Sequence, residues 1–204
     1  MVIRKNLKSK YALISVFEKR KLKYLCNNLR KYDYKFISTG STGKKIREMG
    51  FKCTDISTIT KFREMFDGRV KTLNPLIYSS LLYQRDNIDH KKQFLSLRIP
   101  EIDIVVVNLY PFEEYSTKSD ILKIIEMIDI GGPSLLRAAS KNFKFITPII
   151  NIDDYKSLVV NLKKNNGITD ISFRKKMANK VFNQTSRYDK IIYSWFNEGK
   201  KKKN

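Results

Sequence analysis

Four short segments of this 204-residue chain carry side chains that could do chemistry together. In Phe66-Asp67-Gly68-Arg69-Val70-Lys71-Thr72, Arg69 and Lys71 flank one apolar residue, so in an extended backbone both point to the same side. Such a pair beside Thr72 suits a small anionic substrate, with a solvated basic loop as the plain alternative. In Ile128-Asp129-Ile130-Gly131-Gly132-Pro133, two glycines allow a ligand close to the backbone, and Asp129 stands just before a helix start. That carboxylate could serve a ligand or simply complement the helix N-terminus. Lys141 follows at the end of the same helix. A straight helix from Pro133 to Ser140 is about 12 Å long, so local geometry does not bring Lys141 to Asp129. Loops folding back, or a second subunit, would have to do so. In Ser38-Thr39-Gly40-Ser41, backbone N–H groups and hydroxyls could hold a phosphate at a helix N-terminus, or the same residues could be an ordinary cap. Asn108-Leu109-Tyr110 leaves an apolar strand, with Tyr110 either aimed at a ligand or capping the sheet.

The elements that must hold these segments alternate between strand and helix. Tyr11–Val16 is a short apolar run, followed by a helix with Leu22, Leu25, Cys26 and Leu29 on one face. Tyr34–Ser38 reads as a strand, then comes a helix through Ile46 and Met49, and Phe51–Asp55 as a third strand. The stretch to about Asp86 is mixed helix and loop. Asp103–Asn108 is an unbroken apolar strand of the kind buried on both faces of a parallel sheet. Asp120–Ile128 and Pro133–Lys141 read as helices, the second with Pro in its first turn, and Phe145–Asn151 as the last strand. Asp153–Lys164 and a terminal segment with Met177, Val181, Tyr188, Ile192 and Trp195 at helical steps complete the pattern. Strands spaced by helices predict a three-layer α/β/α fold with a mostly parallel sheet. Ligands in such sheets sit beyond the carboxyl ends of the strands, so the loops after Val16, Ser38 and Asn108 should converge on one pocket. Residues 1 to about 197 read as one domain, with 198–204 as a basic tail.

Composition narrows the class. Lysine plus arginine number 41 against 20 acidic residues, a net charge of +21. Nucleic acid is one partner such a charge allows. No recognition motif accompanies it, and lysines spread along the whole chain are what solvated helix faces and AT-rich codon usage also produce. No apolar run approaches the roughly 20 residues of a membrane-spanning helix, and the N-terminus lacks the apolar core and cleavage site of a secretory signal. With two cysteines lacking zinc-like spacing and one histidine, a His/Cys metal centre and a His-based triad are excluded unless His90 does everything. The expectation is a cytoplasmic, metal-free protein.

In combination the segments are far more specific than any alone. ALISVFEK, ISTGST, FREMFDGRVKTLNP, VVVNLYPFEE, IEMIDIGGPSLLRAASKN and NQTSRYDKIIYSWF, in this order, resemble the IMP cyclohydrolase domain of the bifunctional AICAR transformylase/IMP cyclohydrolase family. The resemblance implies a methylglyoxal-synthase-like domain. It implies closure of the purine ring of a formylated aminoimidazole carboxamide ribotide to IMP, with loss of water and no cofactor or metal. By resemblance, Lys141 is the acid/base residue working with Asp129, while Lys71 and Tyr110 polarise the formyl oxygen. Phe17, Glu18, Lys19, Ser38, Thr39, Gly40 and Ser41 would contact phosphate and ribose. Arg69, Val70, Thr72, Asn108, Ile130 and Gly131 would complete the nucleotide pocket. A homodimer is expected, and no membrane. The resemblance stops where the family's transformylase domain would begin, so the chain reads either as a separate cyclohydrolase, with a separate transformylase polypeptide as a further partner, or as a piece cut from a longer parent.

The chain departs from the family in places. Where the family reads SVSDKTG, this chain has Ser15-Val16-Phe17-Glu18-Lys19-Arg20-Lys21, so a small hydroxyl has become Phe17 and Arg20 is the residue that could replace its phosphate contact. The second glycine of STGG is Ser41, and Asn74 and Phe143 stand where the family has histidines. Lys71, Tyr110, Asp129 and Lys141 are all present, which favours the enzyme over a non-catalytic nucleotide-binding sensor of the same fold.

Overall fold

Valine and isoleucine recur in the central strands because β-branched side chains pack well on a pleated surface buried on both faces. The structure, a computed structural model, describes residues 9–116 and 120–201. Among these described residues, five strands, β1 (Lys10–Val16), β2 (Tyr34–Ser38), β3 (Cys53–Asp55), β4 (Ile102–Asn108) and β5 (Thr147–Ile149), form one sheet in the order β3-β2-β1-β4-β5. Every neighbouring pair is parallel. The helices are α1 (Leu22–Arg30), α2 (Gly40–Glu48), α3 (Ile56–Thr60), α4 (Pro75–Leu82), α5 (Ile88–Ser96), α6 (Phe112–Tyr115), α7 (Ile121–Glu126), α8 (Gly131–Lys141), α9 (Asp154–Lys164) and α10 (Ile171–Lys201).

Alternation along the strands builds two apolar layers. Ala12, Ile14, Val16, Phe36, Ile104 and Val106 meet α1, α2 and α9 through Leu25, Leu29, Ile46, Tyr155 and Leu158. Leu13, Ile37, Val105 and Val107 meet α4 and α8 through Ile77, Leu81, Leu135, Leu136 and Ala139. α10 joins both, with Met177 in the first layer and Val181 in the second. The expected three-layer α/β/α fold is therefore found, with a wholly parallel sheet. The register of β1 against β4 shifts between Tyr11 and Ala12, skipping Asp103, whose carboxylate instead accepts the Tyr11 N–H at 3.0 Å.

Several boundaries differ from the sequence reading. α8 begins at Gly131, two residues before Pro133, and β5 is shorter than the apolar run Phe145–Asn151. α5 occupies a stretch given no element of its own. α10 extends to Lys201, so the basic tail expected from residue 198 overlaps its end. Residues 202–204 of that tail lie outside the described residues, and among those described no helix is long and apolar enough to cross a membrane.

Candidate functional site

The strand order reverses at the centre of the sheet: β1 leads outward to β2 and β3, while β4 and β5 lie on its other side. A crevice therefore opens beyond the carboxyl ends of β1 and β4, where Val16 pairs with Asn108. A cavity of about 710 Å³ lies there, lined from the loops after β1, β2 and β4, from Asp67 to Thr72, and from between Ile125 and Leu135. The predicted convergence of loops is observed.

On one wall, Thr39 makes no capping hydrogen bond with its side chain, and α2 starts at Gly40 with φ +46°. A Cβ on Gly40 would lie 2.9 Å from Lys71 Nζ, so only glycine lets that ammonium stand against the helix end. The positive end of a helix dipole and an ammonium at one spot favour an anion beside them. Glu64 holds Lys71 there, with Oε2 at 2.5 Å from Nζ. Thr42 ties this wall to β1, accepting the Val16 N–H at 3.1 Å and donating to the Val16 carbonyl at 2.9 Å.

On the opposite wall, Asp129 Oδ1 accepts the Gly132 N–H at 2.8 Å, capping α8. Burial pushes the Asp129 carboxyl above its ordinary range, while the hydrogen bond from Gly132 pulls the other way. A Cβ on Gly132 would meet Asp129 Oδ2 at 2.4 Å, and one on Gly131 would meet Thr72 Oγ1 at 3.0 Å. Both glycines thus permit close approach. At the mouth, the part-exposed rings of Phe17 and Tyr110 stand 4.9 Å apart at 56°.

Of the predicted site residues, Lys71, Asp129, Tyr110, Phe17, Lys19, Thr39, Gly40, Ser41, Arg69, Thr72, Asn108, Ile130 and Gly131 line this cavity. Several are less free than their types suggested. Asn108 accepts the Glu18 N–H and donates to the Glu18 carbonyl, both at 3.0 Å, so its amide first fixes the loop after β1. Arg69 is paired with Glu126 of α7 on two hydrogen bonds, which lowers the Glu126 carboxyl and raises the guanidinium.

Four others are not brought into the cavity lining. Ser38 is fully buried, and its hydroxyl donates to the Ile14 carbonyl at 2.6 Å. Val70 is held in an antiparallel bridge with Met65. Glu18 pairs with Arg20, and both line a separate recess behind Phe17, so Arg20 is not at the cavity. Lys141 is exposed at the far end of α8, roughly 15 Å along the helix from Gly131. The structure joins Asp129, Lys71 and Tyr110 and leaves Lys141 apart from them within one chain.

Sequence reasoning assigned no role to Glu64, Glu126 or Tyr188. All three lie in the strings that carried the resemblance, which was the available signal. Among the described residues, no group of three or more His, Cys, Asp and Glu side chains is arranged to hold a metal ion.

Comparison with known proteins agrees with this geometry. The MGS-like domain model matches residues 21–134, and the AICARFT/IMPCHase bienzyme model matches residues 139–204. The bifunctional purine biosynthesis protein PurH of Caldicellulosiruptor bescii is 43% identical over 195 residues, 95% of this chain and 38% of the relative. That of Chlorobium phaeobacteroides is 48% identical over 185 residues, 90% of this chain and 35% of the relative. That of Clostridium botulinum strain Hall is 46% identical over 190 residues, 93% of this chain and 38% of the relative. The chain thus spans little more than a third of the length of these curated relatives. The crystal structure of ForH superposes with a TM-score of 0.84 at 27% identity, covering 92% of this chain and 97% of that one.

Proposed function

The chain belongs to the MGS-like domain family, and we propose that it is an IMP cyclohydrolase. Its substrate would be 5-formamidoimidazole-4-carboxamide ribotide, closed to IMP with loss of water in purine synthesis. The observation that carries this reading is the convergence of Lys71, Tyr110 and Asp129 with the uncapped α2 N-terminus on one cavity.

The chemistry needs two poorly reactive groups held together, a proton removed and an oxygen stabilised. The α2 N-terminus and Lys19 would hold the ribotide phosphate. Asp129 would take the proton of the carboxamide nitrogen as that nitrogen bonds to the formyl carbon. A carboxyl whose proton affinity is raised by burial is better matched to that task than a solvated one. Lys71 and Tyr110 would donate to the formyl oxygen, which becomes a hydroxyl on the tetrahedral carbon. Breaking that C–O bond releases water as the former formamido nitrogen gives up its proton.

Lys141 enters this scheme only through a second copy of the chain, since its own fold holds it at the other end of α8. A homodimer whose partner subunit delivers that ammonium is therefore part of the proposal. A transformylase would supply the formylated ribotide in the cytoplasm. The distance of Lys141 from the cavity also favours a second reading, a nucleotide-binding module without turnover. Mixing the purified protein with the formylated ribotide and following purine absorbance separates the two. Formation of IMP above the spontaneous rate supports the enzyme, and IMP binding without turnover supports the module.

A further inference from the structure

Tyr188 lies on α10, outside the cavity lining, yet its hydroxyl reaches the backbone of the site. It accepts the Asp129 N–H at 2.8 Å and donates to the Met127 carbonyl at 3.1 Å. Those two bonds hold both sides of Ile128, the residue before Asp129. The Asp129 carboxylate is held in turn by the Gly132 N–H. Backbone and side chain of this one acid are thus fixed from opposite directions, one by α10 and one by α8.

The Tyr188 ring carries a second link. It is buried and packs edge-on against Phe112, with centroids 6.4 Å apart at 75°. Phe112 follows the Tyr110-Pro111 turn and also meets Trp195 at 5.8 Å and 87°. Ile124 of α7 completes the cluster. The last helix therefore grips the segments that carry Asp129 and Tyr110, and none of its described side chains lines the cavity.

We propose that Tyr188 is a positioning residue: its hydroxyl, held from α10, sets where the Asp129 carboxyl stands in the cavity. This rests on the reading of Asp129 as the proton-accepting group. The competing view is a core tyrosine that satisfies its own hydroxyl and contributes stability alone.

Tyr188→Phe keeps the ring and removes the hydroxyl, leaving the Asp129 N–H without its partner. Thr185→Val is the matched control, a buried hydroxyl on the same helix bonded at 3.3 Å to the Phe182 carbonyl. In Tyr188→Phe, kcat should fall by ~10- to 10²-fold with KM within about 3-fold, the pattern of a misplaced rather than missing group. Amide exchange at Asp129 and Gly132 should quicken by at least ~10-fold, and Thr185→Val should change neither readout. Equal melting-point losses in both variants with unchanged kcat and exchange would overturn the proposal. Should the unaltered protein show no turnover, the cyclohydrolase reading fails while the exchange comparison still decides the positioning claim. Should Tyr188→Phe not fold, the unaltered protein decides: an Asp129 amide that exchanges as fast as an open turn refutes the bond to Tyr188.

Discussion

Gly132→Ala is the substitution for which geometry and helix propensity disagree most sharply. Gly132 is the second residue of α8, where alanine is normally favoured over glycine by ~0.5–1 kcal/mol. Here the new Cβ would sit 2.4 Å from Asp129 Oδ2 and 3.0 Å from its Cγ, so the carboxylate must swing away. Rotation itself is cheap, but it breaks the 2.8 Å bond from the Gly132 N–H. A hydrogen bond to a charged group contributes ~1.5–3 kcal/mol. The balance is a loss of about 1–2 kcal/mol, or roughly 2–8 °C for a chain of this length. Melting of four proteins tests it: unaltered, Gly132→Ala, Asp129→Ala and the double variant. Once the carboxylate is absent the Cβ no longer clashes, so adding Gly132→Ala to Asp129→Ala should stabilise. If Gly132→Ala raises the melting point equally in both backgrounds, the close contact between Asp129 and Gly132 is not what the structure describes.

Other expectations follow from the same geometry. Burial raises the Asp129 carboxyl, so its stabilising share is complete below the unfolded value and is lost as pH rises through the folded one. Asp129→Asn, which retains an acceptor for Gly132, should therefore melt higher than the unaltered protein at neutral pH. The gap should close below the ordinary carboxyl pKa of ~3.9, while turnover falls throughout. Gly40→Ala places a methyl 2.9 Å from Lys71 Nζ at a φ of +46°, and should weaken IMP binding ~10-fold or more by calorimetry. Lys141→Ala should depress turnover by ~10²–10⁴-fold with little change in IMP affinity. Mixing Lys141→Ala with Asp129→Ala should restore part of the activity if the partner subunit completes the site, and an inert mixture would argue against a shared one.

The fold was legible where apolar residues had no alternative use. β4, apolar on both faces, and the stripe of Leu22, Leu25, Cys26 and Leu29, apolar on one, are satisfied only by burial, and both form as read. α5 escaped notice because Phe94 is its only buried residue; its signal is the Asn87 cap, whose Oδ1 accepts the Asp89 and His90 N–H groups. The start of α8 was misread for a related reason. Two glycines argue against helix by propensity, and the Asp129 carboxylate that binds the Gly132 N–H stands where the Tyr188 hydroxyl, far along the chain, holds its backbone.

The site was legible by segment and not by hydrogen bond. Residue types placed Lys71, Tyr110 and Asp129 at strand ends and glycine turns, and they meet there. The same types could not show that Ser38 spends its hydroxyl on Ile14 or that Asn108 spends its amide on Glu18. Glu126 and Tyr188 reach Arg69 and Asp129 across long stretches of chain, where neither spacing nor periodicity carries information.

The cavity holding Lys71, Tyr110 and Asp129 is proposed to close the purine ring. The most direct measurement is the rate of IMP formation from the formylated ribotide by the unaltered protein and by Asp129→Ala, each against buffer. Formation well above the spontaneous rate is expected for the first, and a fall of ~10²-fold or more for the second. An unaltered protein no faster than buffer, or an Asp129→Ala variant as fast as the unaltered one, would contradict it.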